Sequence, residues 1–395
     1  MVPSRTLAAA PTLRSVELFA GAGGLALGCQ IAGFESLAIL ERDRWACDTV
    51  RENKARGHHL VADWNVFEGD VRSFDWSRVT QGVDLVAGGP PCQPFSAGGL
   101  GKAADDPRDM FPTTAEIIGR LQPRAFIIEN VRGLTRDAFA EYFEYIQLRL
   151  TFPLLGARPA ESWGSHLVRL RKQKTRTEDH ELSYRVTSHL VNAADYGVPQ
   201  QRHRVFIVGF RTDTQIAWTF PERTHSRDAL LRSQEIGEYW EEHQVPERER
   251  PAISARRSRL SGTSAQDLKR WRTVRDAIAD LPEPFLRPPA NLRNHVAQPG
   301  ARSYPGHTGS PWDMPAKTLK AGGHGVPGGE NMLRDHDGTV RYFTVRESAR
   351  LQTFPDDYEL HGSWGEAMRQ LGNAVPVDLA AVVARSVSSA LTREI

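Results

Sequence analysis

The architecture of this chain is set by Ser15-Val16-Glu17-Leu18-Phe19, a strand candidate, and by the turn that follows it, Ala20-Gly21-Ala22-Gly23-Gly24. Leu25 to Ile31 then has the pattern of a helix, which Gly33 ends. Further on, Leu37 to Leu40 predicts a strand ending at Glu41, and a helix is predicted from Trp45 to about Lys54. Strand–helix alternation of this kind predicts an α/β fold with a doubly wound, mostly parallel sheet and ligands at the carboxyl ends of its strands.

The glycine turn and Glu41 predict a nucleotide site. Small residues let the backbone approach a ligand closely, and the next helix offers unpaired N–H groups at its amino terminus. An acidic residue about 20 positions on can accept hydrogen bonds from ribose hydroxyls. Gly21, Gly23 and Ala26 also satisfy the dinucleotide fingerprint, so this motif by itself is compatible with a nicotinamide dehydrogenase.

A single cysteine, Cys92, follows a predicted strand at Val83 to Ala87 that Gly88 and Gly89 end. Pro90 and Pro91 fix φ just before it, so the thiol is expected on a stiff loop at the carboxyl edge of the sheet. A nucleophile is the favoured interpretation of such a placement. The alternative is that Cys92 is a small buried apolar residue, as free cysteine often is.

Two further segments bring charge to the same edge. Ala125 to Val131 predicts a strand whose apolar run ends in Glu129, and Arg202 and Arg204 lead into a strand at Val205 to Gly209. Because side chains alternate with period two, the two arginines are expected on one face. An ordinary solvent-facing glutamate, or a purely structural pairing of the arginines with Glu129, is the other interpretation.

The chain has 395 residues, of which 40% are apolar and 25% charged, a composition typical of a soluble globular protein. Its length predicts two domains. No apolar run approaches the roughly 20 residues that span a bilayer, so no membrane association is expected. Cys29, Cys47 and Cys92 form no close pair, which argues against disulfides and a zinc site and predicts a cytoplasmic protein with no metal.

The net charge is only +2, but basic residues cluster between 169 and 176 and between 256 and 272. Each cluster is by itself an ordinary solvated face. Together, and beside a nucleophile loop, they indicate a polyanionic partner.

These blocks resemble the DNA (cytosine-5)-methyltransferase family in their order along nearly the whole chain. The matching blocks are Phe19 to Gly24, Glu41, Gly69-Asp70, Pro90 to Ser96, Glu129 to Val131, Gln201 to Arg204, Arg346 to Gln352 with Phe354-Pro355, and Leu371 to Pro376. The resemblance implies the methyltransferase fold, S-adenosylmethionine as cofactor and double-stranded DNA as substrate.

The resemblance also implies roles for the catalytic residues. Cys92 would add to C6 of an everted cytosine, Glu129 would donate to N3, Arg204 would hold O2, and Arg202 would support the thiolate and its loop. The implied DNA contacts are Gln93, Ser96, Arg108, Thr318 and Gly322. The glycine-rich segment 97–102 is expected to be a mobile loop that closes over the base; a disordered surface loop is the alternative.

Cofactor contacts carry over from the family to eleven positions. They are Phe19, Gly21, Gly23, Gly24, Glu41, Arg42, Asp70, Val71, Pro91, Asn373 and Val375. Arg42 departs from some relatives, which carry an aromatic residue against adenine at that position; arginine can stack there as well.

The domain boundaries are expected to be a catalytic domain at 12–210 completed by 346–395, and a smaller, irregular target-recognition domain at 211–345. The segment 153–180 is interpreted as a basic insertion that adds a contact to the DNA backbone. The resemblance implies a bacterial modification enzyme that acts as a monomer on DNA and is paired with a restriction endonuclease. An RNA methyltransferase, a nicotinamide oxidoreductase and a non-catalytic DNA-binding module stay open as alternatives.

Overall fold

The computed structural model describes residues 12–91, 109–175, 181–250, 268–305, 307–321 and 331–393. Seven strands form the central sheet in the order β3-β2-β1-β4-β5-β7-β6. They are β1 Leu13–Leu18, β2 Phe34–Glu41, β3 Val66–Glu68, β4 Leu85–Gly88, β5 Ala125–Val131, β6 Tyr184–Asn192 and β7 His203–Arg211. All neighbours pair in parallel except β7, which runs antiparallel to both β5 and β6. The predicted mostly parallel, doubly wound sheet is confirmed.

Helices cover both faces of this sheet. The helices are α1 Gly24–Ile31, α2 Arg44–Ala55, α3 Phe111–Leu121, α4 Ala140–Thr151, α5 Trp163–Lys174, α6 Arg227–Ile236, α7 Glu238–Glu242, α8 Val274–Ile278, α9 Val345–Leu351, α10 Trp364–Asn373 and α11 Val377–Thr392. Alternation along β4 shows the two layers: Val86 packs with α3 and α4, whereas Ala87 packs with α1 and α11. The final helix therefore completes the layer that begins next to the glycine turn, as the sequence predicted.

Strand and helix boundaries differ from the sequence prediction by a few residues. β1 ends at Leu18 because Phe19 has φ 54°, a left-handed conformation that stops pairing. β4 begins at Leu85 and includes Gly88, whose close approach to the Leu18 carbonyl leaves no room for a side chain. These shifts leave the carboxyl ends of β1, β2, β4 and β5 at one edge of the sheet.

The segment 153–180 contains the regular helix α5. Leu167 and Leu170 are buried in the same core as α4, so this face of α5 belongs to the helical layer on that side of the sheet. Arg169 pairs with Glu161 at 2.7 Å and Arg171 with Glu144 at 2.6 Å. Arg169 and Arg171 thus have intramolecular partners. The predicted contact with DNA would involve other basic residues of this segment, including Arg176, which lies outside the described part of the chain.

The region 211–345 is less irregular than expected. It contains α6, α7 and α8 together with β8 His225–Ser226, β9 Lys269–Arg270, β10 Ser310–Pro311, β11 Met332–Arg334 and β12 Val340–Tyr342. Part of it, including Ile278, Leu319 and Phe343, packs in one core with Leu27 and Tyr358. A separate small cluster around Tyr239, Trp240 and Trp271 lies on α6, α7 and β9.

One stretch of the described chain, Trp364–Thr392, is long and apolar enough to cross a membrane by length and composition, with a mean hydropathy of 1.4. In the structure it is two helices, α10 and α11, interrupted before Val377, and 61% of its apolar window is buried inside the protein. This burial is typical of the core helices of a globular protein.

Candidate active site

A buried ion pair marks the carboxyl edge of the sheet. Arg204 lies opposite Val131 in the β5–β7 ladder, and its Nε is 2.6 Å from Oε1 of Glu129. The two side chains are only 8% and 9% exposed. Among the described residues, Oε1 of Glu129 is buried without a well-directed hydrogen bond. The charge of this oxygen is nevertheless balanced, because Nε of Arg204 lies 2.6 Å from it.

The protonation of Glu129 is set by two opposing effects. Burial raises the pKa of its carboxyl, and the positive charges of Arg204 and then Arg202 lower it, with burial prevailing. A raised pKa keeps an acid form accessible nearer neutral pH. Glu129 is therefore suited to donate a proton or a hydrogen bond to a ring nitrogen, with Arg204 beside it.

Arg202 is fully buried, and its guanidinium contacts backbone carbonyls. Its guanidinium donates to the carbonyls of Leu319 at 3.0 Å, Gly372 at 2.6 Å and Ala374 at 2.9 Å. The period-two prediction is supported, since Arg202 lies close enough to act on the charge of Glu129. Its contacts make it a positioning residue that ties β7 to the carboxyl-terminal segment. The expected support of the Cys92 thiolate involves a residue outside the described part of the chain.

Asn130 holds the chain at Pro90, two residues before Cys92. Its Nδ2 donates to the Pro90 carbonyl at 3.0 Å. A Cβ at Gly89 would lie 3.2 Å from Oε2 of Glu129, so glycine leaves room for the carboxylate. The chain therefore enters the cysteine loop directly beside the ion pair; Pro91 is exposed there.

Five predicted site residues lie outside the described part of the chain. They are Cys92, Gln93, Ser96, Arg108 and Gly322. The predicted closing loop at 97–102 lies there as well. Thr318 is described: its hydroxyl donates to the Gln201 carbonyl at 2.6 Å, beside the entry to β7.

Glu41 cross-links the two loops of the predicted nucleotide site. Its Oε2 accepts from Gly21 N at 2.7 Å, and its Oε1 accepts from the N–H groups of Arg42 and Asp43, each at 2.7 Å. A carboxylate has about four lone-pair positions, so ribose hydroxyls can still be accepted. Glu41 is thus both a ligand candidate and the brace of the turn.

The glycine turn has the shape of a cradle for a ligand. Gly21 and Gly23 have φ 55° and 93°, and a Cβ at Gly21 would meet nothing within 4 Å. A Cβ at Gly24 would lie 2.3 Å from the Val375 carbonyl, so the carboxyl-terminal segment packs directly against the turn. The amino terminus of α1 has no side-chain cap and no acidic residue in its first turn. These features fit a zwitterionic or nucleoside ligand.

The remaining predicted cofactor residues lie at the same edge. Asp70 follows β3, next to Gly69, whose N–H donates to the Glu41 carbonyl at 2.8 Å. The Asp70 carboxylate pairs with Arg72 at 2.6 Å. Val71 is buried beneath it. Arg42 and Asn373 are exposed and Phe19 is half-buried, so these three side chains are accessible to a ligand.

Sequence reasoning missed two aromatic residues that hold the turn. Tyr358 is fully buried and donates its hydroxyl to the Ala22 carbonyl at 2.9 Å. The Trp64 ring lies 3.1 Å from the position of a Cβ on Gly23. Tyr358 follows the Phe354-Pro355 block in the sequence, which could have marked it as a site residue. Its hydrogen-bond partner Ala22, however, is 336 positions away.

Among the described residues, two groups have ligand atoms close enough to hold a metal: His58, His59 and Asp357, and a second group around Asp276. The Asp276 carboxylate is already neutralised by Arg270 at 2.8 Å. His58 of the first group packs edge-on against Tyr358, with ring centroids 5.2 Å apart.

The sequence model of the family described as C-5 cytosine-specific DNA methylase matches residues 13–151 and 169–389. The chain belongs to this family. The unmatched residues are 152–168, and all of them except 152 fall within the segment interpreted as an insertion.

Relatives and solved structures agree with this assignment. The Type II methyltransferase M.NgoMIV of Neisseria gonorrhoeae is 31% identical over 96% of this chain and 98% of its own length. M.PspPI of Psychrobacter is 31% identical over 94% of this chain and 78% of its own length. A crystal structure of S. pombe Dnmt2 methyltransferase matches with a TM-score of 0.54 at 16% identity, covering 96% of this chain and 98% of that one. At that identity the structural match shows the methyltransferase fold alone.

Proposed function

We propose that this chain is a DNA (cytosine-5)-methyltransferase that everts a cytosine from duplex DNA and methylates C5 through a covalent Cys92–C6 adduct. The observation that carries the proposal is the buried Glu129–Arg204 pair at the carboxyl edge, one loop away from Cys92. The family assignment supports the reaction class. S-adenosylmethionine is the proposed cofactor, because the glycine turn, Glu41 and the amino terminus of α1 fit its amino acid and ribose.

The chemistry assigns one task to each residue. The Cys92 thiolate forms a bond to C6, and the electron pair of the C5–C6 double bond makes C5 nucleophilic. Glu129 donates to N3 and Arg204 to O2, which relieves the charge that builds on the ring. C5 then takes the methyl group, whose bonding electron pair stays on the donor sulfur. Loss of the C5 proton reforms the double bond and expels Cys92 as thiolate.

The cofactor supplies an electrophilic methyl group when bound. Tyr358 and Glu41 hold the turn that would receive it, and Arg202 holds the segment containing Gly372 and Ala374 against β7. We propose Phe19, Gly21, Gly23, Gly24, Arg42, Asp70, Val71, Pro91, Asn373 and Val375 as the further cofactor contacts. Gln93, Ser96, Arg108, Thr318 and Gly322 are the proposed DNA contacts.

The proposed domain division keeps 12–210 and 346–395 as the catalytic part and 211–345 as the target-recognition part. The cluster around Tyr239 and Trp271 supports a packed recognition part, which contacts the catalytic part through Ala194. Ala316, Leu319, Leu333 and Phe343 are buried in one core with residues of the catalytic part, so the segments that contain them are proposed as the connection between the two parts. We propose that the protein acts as a monomer in the cytoplasm and protects host DNA from a partner endonuclease, since the relatives are named Type II methyltransferases.

Transfer of tritiated methyl groups tests the activity. Purified protein is incubated with labelled S-adenosylmethionine and with duplex DNA, single-stranded DNA or transfer RNA, and the product is mapped by bisulfite sequencing. We expect label on C5 of cytosine at one short duplex sequence, and none with Cys92→Ser. Label on RNA alone, or turnover by Cys92→Ser, contradicts the proposal.

A further inference from the structure

An exposed aromatic turn, Tyr304 to His307, lies in a basic segment of the chain. The ring centroids of Tyr304 and His307 are 4.2 Å apart with an interplanar angle of 32°. Their backbones close the turn through two hydrogen bonds, Tyr304 N to His307 O at 3.3 Å and His307 N to Tyr304 O at 2.8 Å. Tyr304 is 48% exposed and belongs to none of the described hydrophobic clusters. A tyrosine placed in this way adds little to the core.

The charge around the turn favours a polyanion. Residues 284–321 contain five arginines and lysines, Arg287, Arg293, Arg302, Lys317 and Lys320, and one acidic residue, Asp313. Asp313 is 6% exposed and its carboxylate is paired with Arg275 at 2.7 Å. Basic residues therefore outnumber acidic ones in this segment, with Arg293 paired to Glu359 at 3.4 Å.

A short series of contacts connects the turn to the active site. Lys317 Nζ donates to Thr308 Oγ1 at 2.9 Å, directly after His307. The next residue, Thr318, donates to the Gln201 carbonyl, three positions before Arg204. The turn is thus anchored on the segment that leads into β7, where the cytosine is proposed to bind.

We propose that Tyr304 is the residue that enters the DNA stack at the position left by the everted cytosine. This inference rests on the proposed function. An aromatic ring can replace part of the stacking lost on eversion, and insertion of side chains between bases is a known way of holding distorted DNA. His307 would hold the Tyr304 ring in orientation, and Arg302 and Lys317 would contact phosphates.

The test compares Tyr304→Ala with wild type on two duplexes, once the methylated sequence is known. On normal duplex we expect kcat/KM to fall by about 10- to 100-fold, the size that loss of one base-stacking ring gives. On a duplex with a mismatch at the target cytosine, which is already unpaired, the deficit should shrink to about threefold or less, because eversion then costs less. Tyr304→Phe should keep most activity on both.

Leu286→Ala is the matched control, because Leu286 is an exposed apolar residue of the same basic segment, with 89% of its surface accessible. It should leave kcat/KM unchanged on both duplexes. Equal deficits of Tyr304→Ala on matched and mismatched DNA, or no deficit, overturn the inference. Absence of methylation by wild type overturns the proposed function instead.

Discussion

Replacing Tyr358 with phenylalanine tests how the cofactor turn is held. The change removes one hydroxyl and keeps a ring that is fully buried between the turn and the carboxyl-terminal segment. The lost contact is the hydrogen bond to the Ala22 carbonyl at 2.9 Å, in the middle of Ala20 to Gly24. We expect weaker cofactor binding, since the turn loses a bond that fixes its conformation.

The size of the effect follows from the chemistry of that bond. Deleting one partner of a buried hydrogen bond costs about 1–3 kcal/mol, because the other partner is left unsatisfied. If about 1–2 kcal/mol of this falls on the bound conformation of the turn, the Kd for S-adenosylmethionine rises by roughly 5- to 30-fold. The chemical step uses Cys92 and Glu129, so kcat at saturating cofactor should change little.

Isothermal titration calorimetry with S-adenosylhomocysteine measures the Kd directly. Tyr184→Phe is the matched control: Tyr184 is also fully buried and donates to one backbone carbonyl, that of Pro123 at 2.7 Å, away from the turn. Both variants should lose similar stability to urea, but only Tyr358→Phe should bind cofactor more weakly. An equal rise of Kd in both variants, or no rise in Tyr358→Phe, refutes the reasoning.

Three further predictions follow from buried charges. Arg202→Lys should lower kcat/KM by at least about tenfold, because an ammonium group cannot span three carbonyls. The control is Arg149→Lys, which also removes a buried guanidinium that donates to backbone carbonyls. This control should destabilise the fold but leave kcat/KM unchanged. Glu129→Gln should slow single-turnover methyl transfer by about 10²–10³-fold, and an unchanged rate would remove its acid role. Burial raises the pKa of Glu17 from 4.5 to about 7. Between these two pH values the folded protein keeps a proton that the unfolded chain has lost, so the free energy of unfolding falls as the pH rises from 4.5 to about 7. Glu17→Gln should therefore gain up to about 3 kcal/mol of unfolding free energy at pH 8 and much less at pH 5, measured by urea titration.

The order of strands and the glycine turn were predictable because they follow local patterns. Apolar runs ending in Glu41 and Glu129 mark strands that are buried on both faces, and glycines mark the turns after them. The edge strand β6 was missed because Arg185, Thr187 and Ser188 interrupt its apolar pattern. An edge strand needs little burial, so composition gives it a weak signal.

Local patterns placed Arg202 and Arg204 at one edge of the sheet and offered Glu129 as a partner, but they did not indicate the backbone carbonyls that Arg202 contacts. Whether each guanidinium meets a carboxylate or a carbonyl depends on distant segments: Glu129 is 75 positions from Arg204, and Leu319 and Gly372 are 117 and 170 positions from Arg202. The same applies to Tyr358 and Ala22. Such contacts arise from packing between distant segments, which local sequence patterns do not describe.

The most direct test of the central claim is to trap the covalent intermediate. A duplex with 5-fluorocytosine at the mapped target is incubated with the protein and S-adenosylmethionine, and the complex is digested and analysed by mass spectrometry. The account predicts a stable adduct on the peptide that contains Cys92, absent in Cys92→Ser, because fluorine at C5 cannot leave as a proton does. Full methyl transfer with no adduct, or an adduct on another residue, contradicts it.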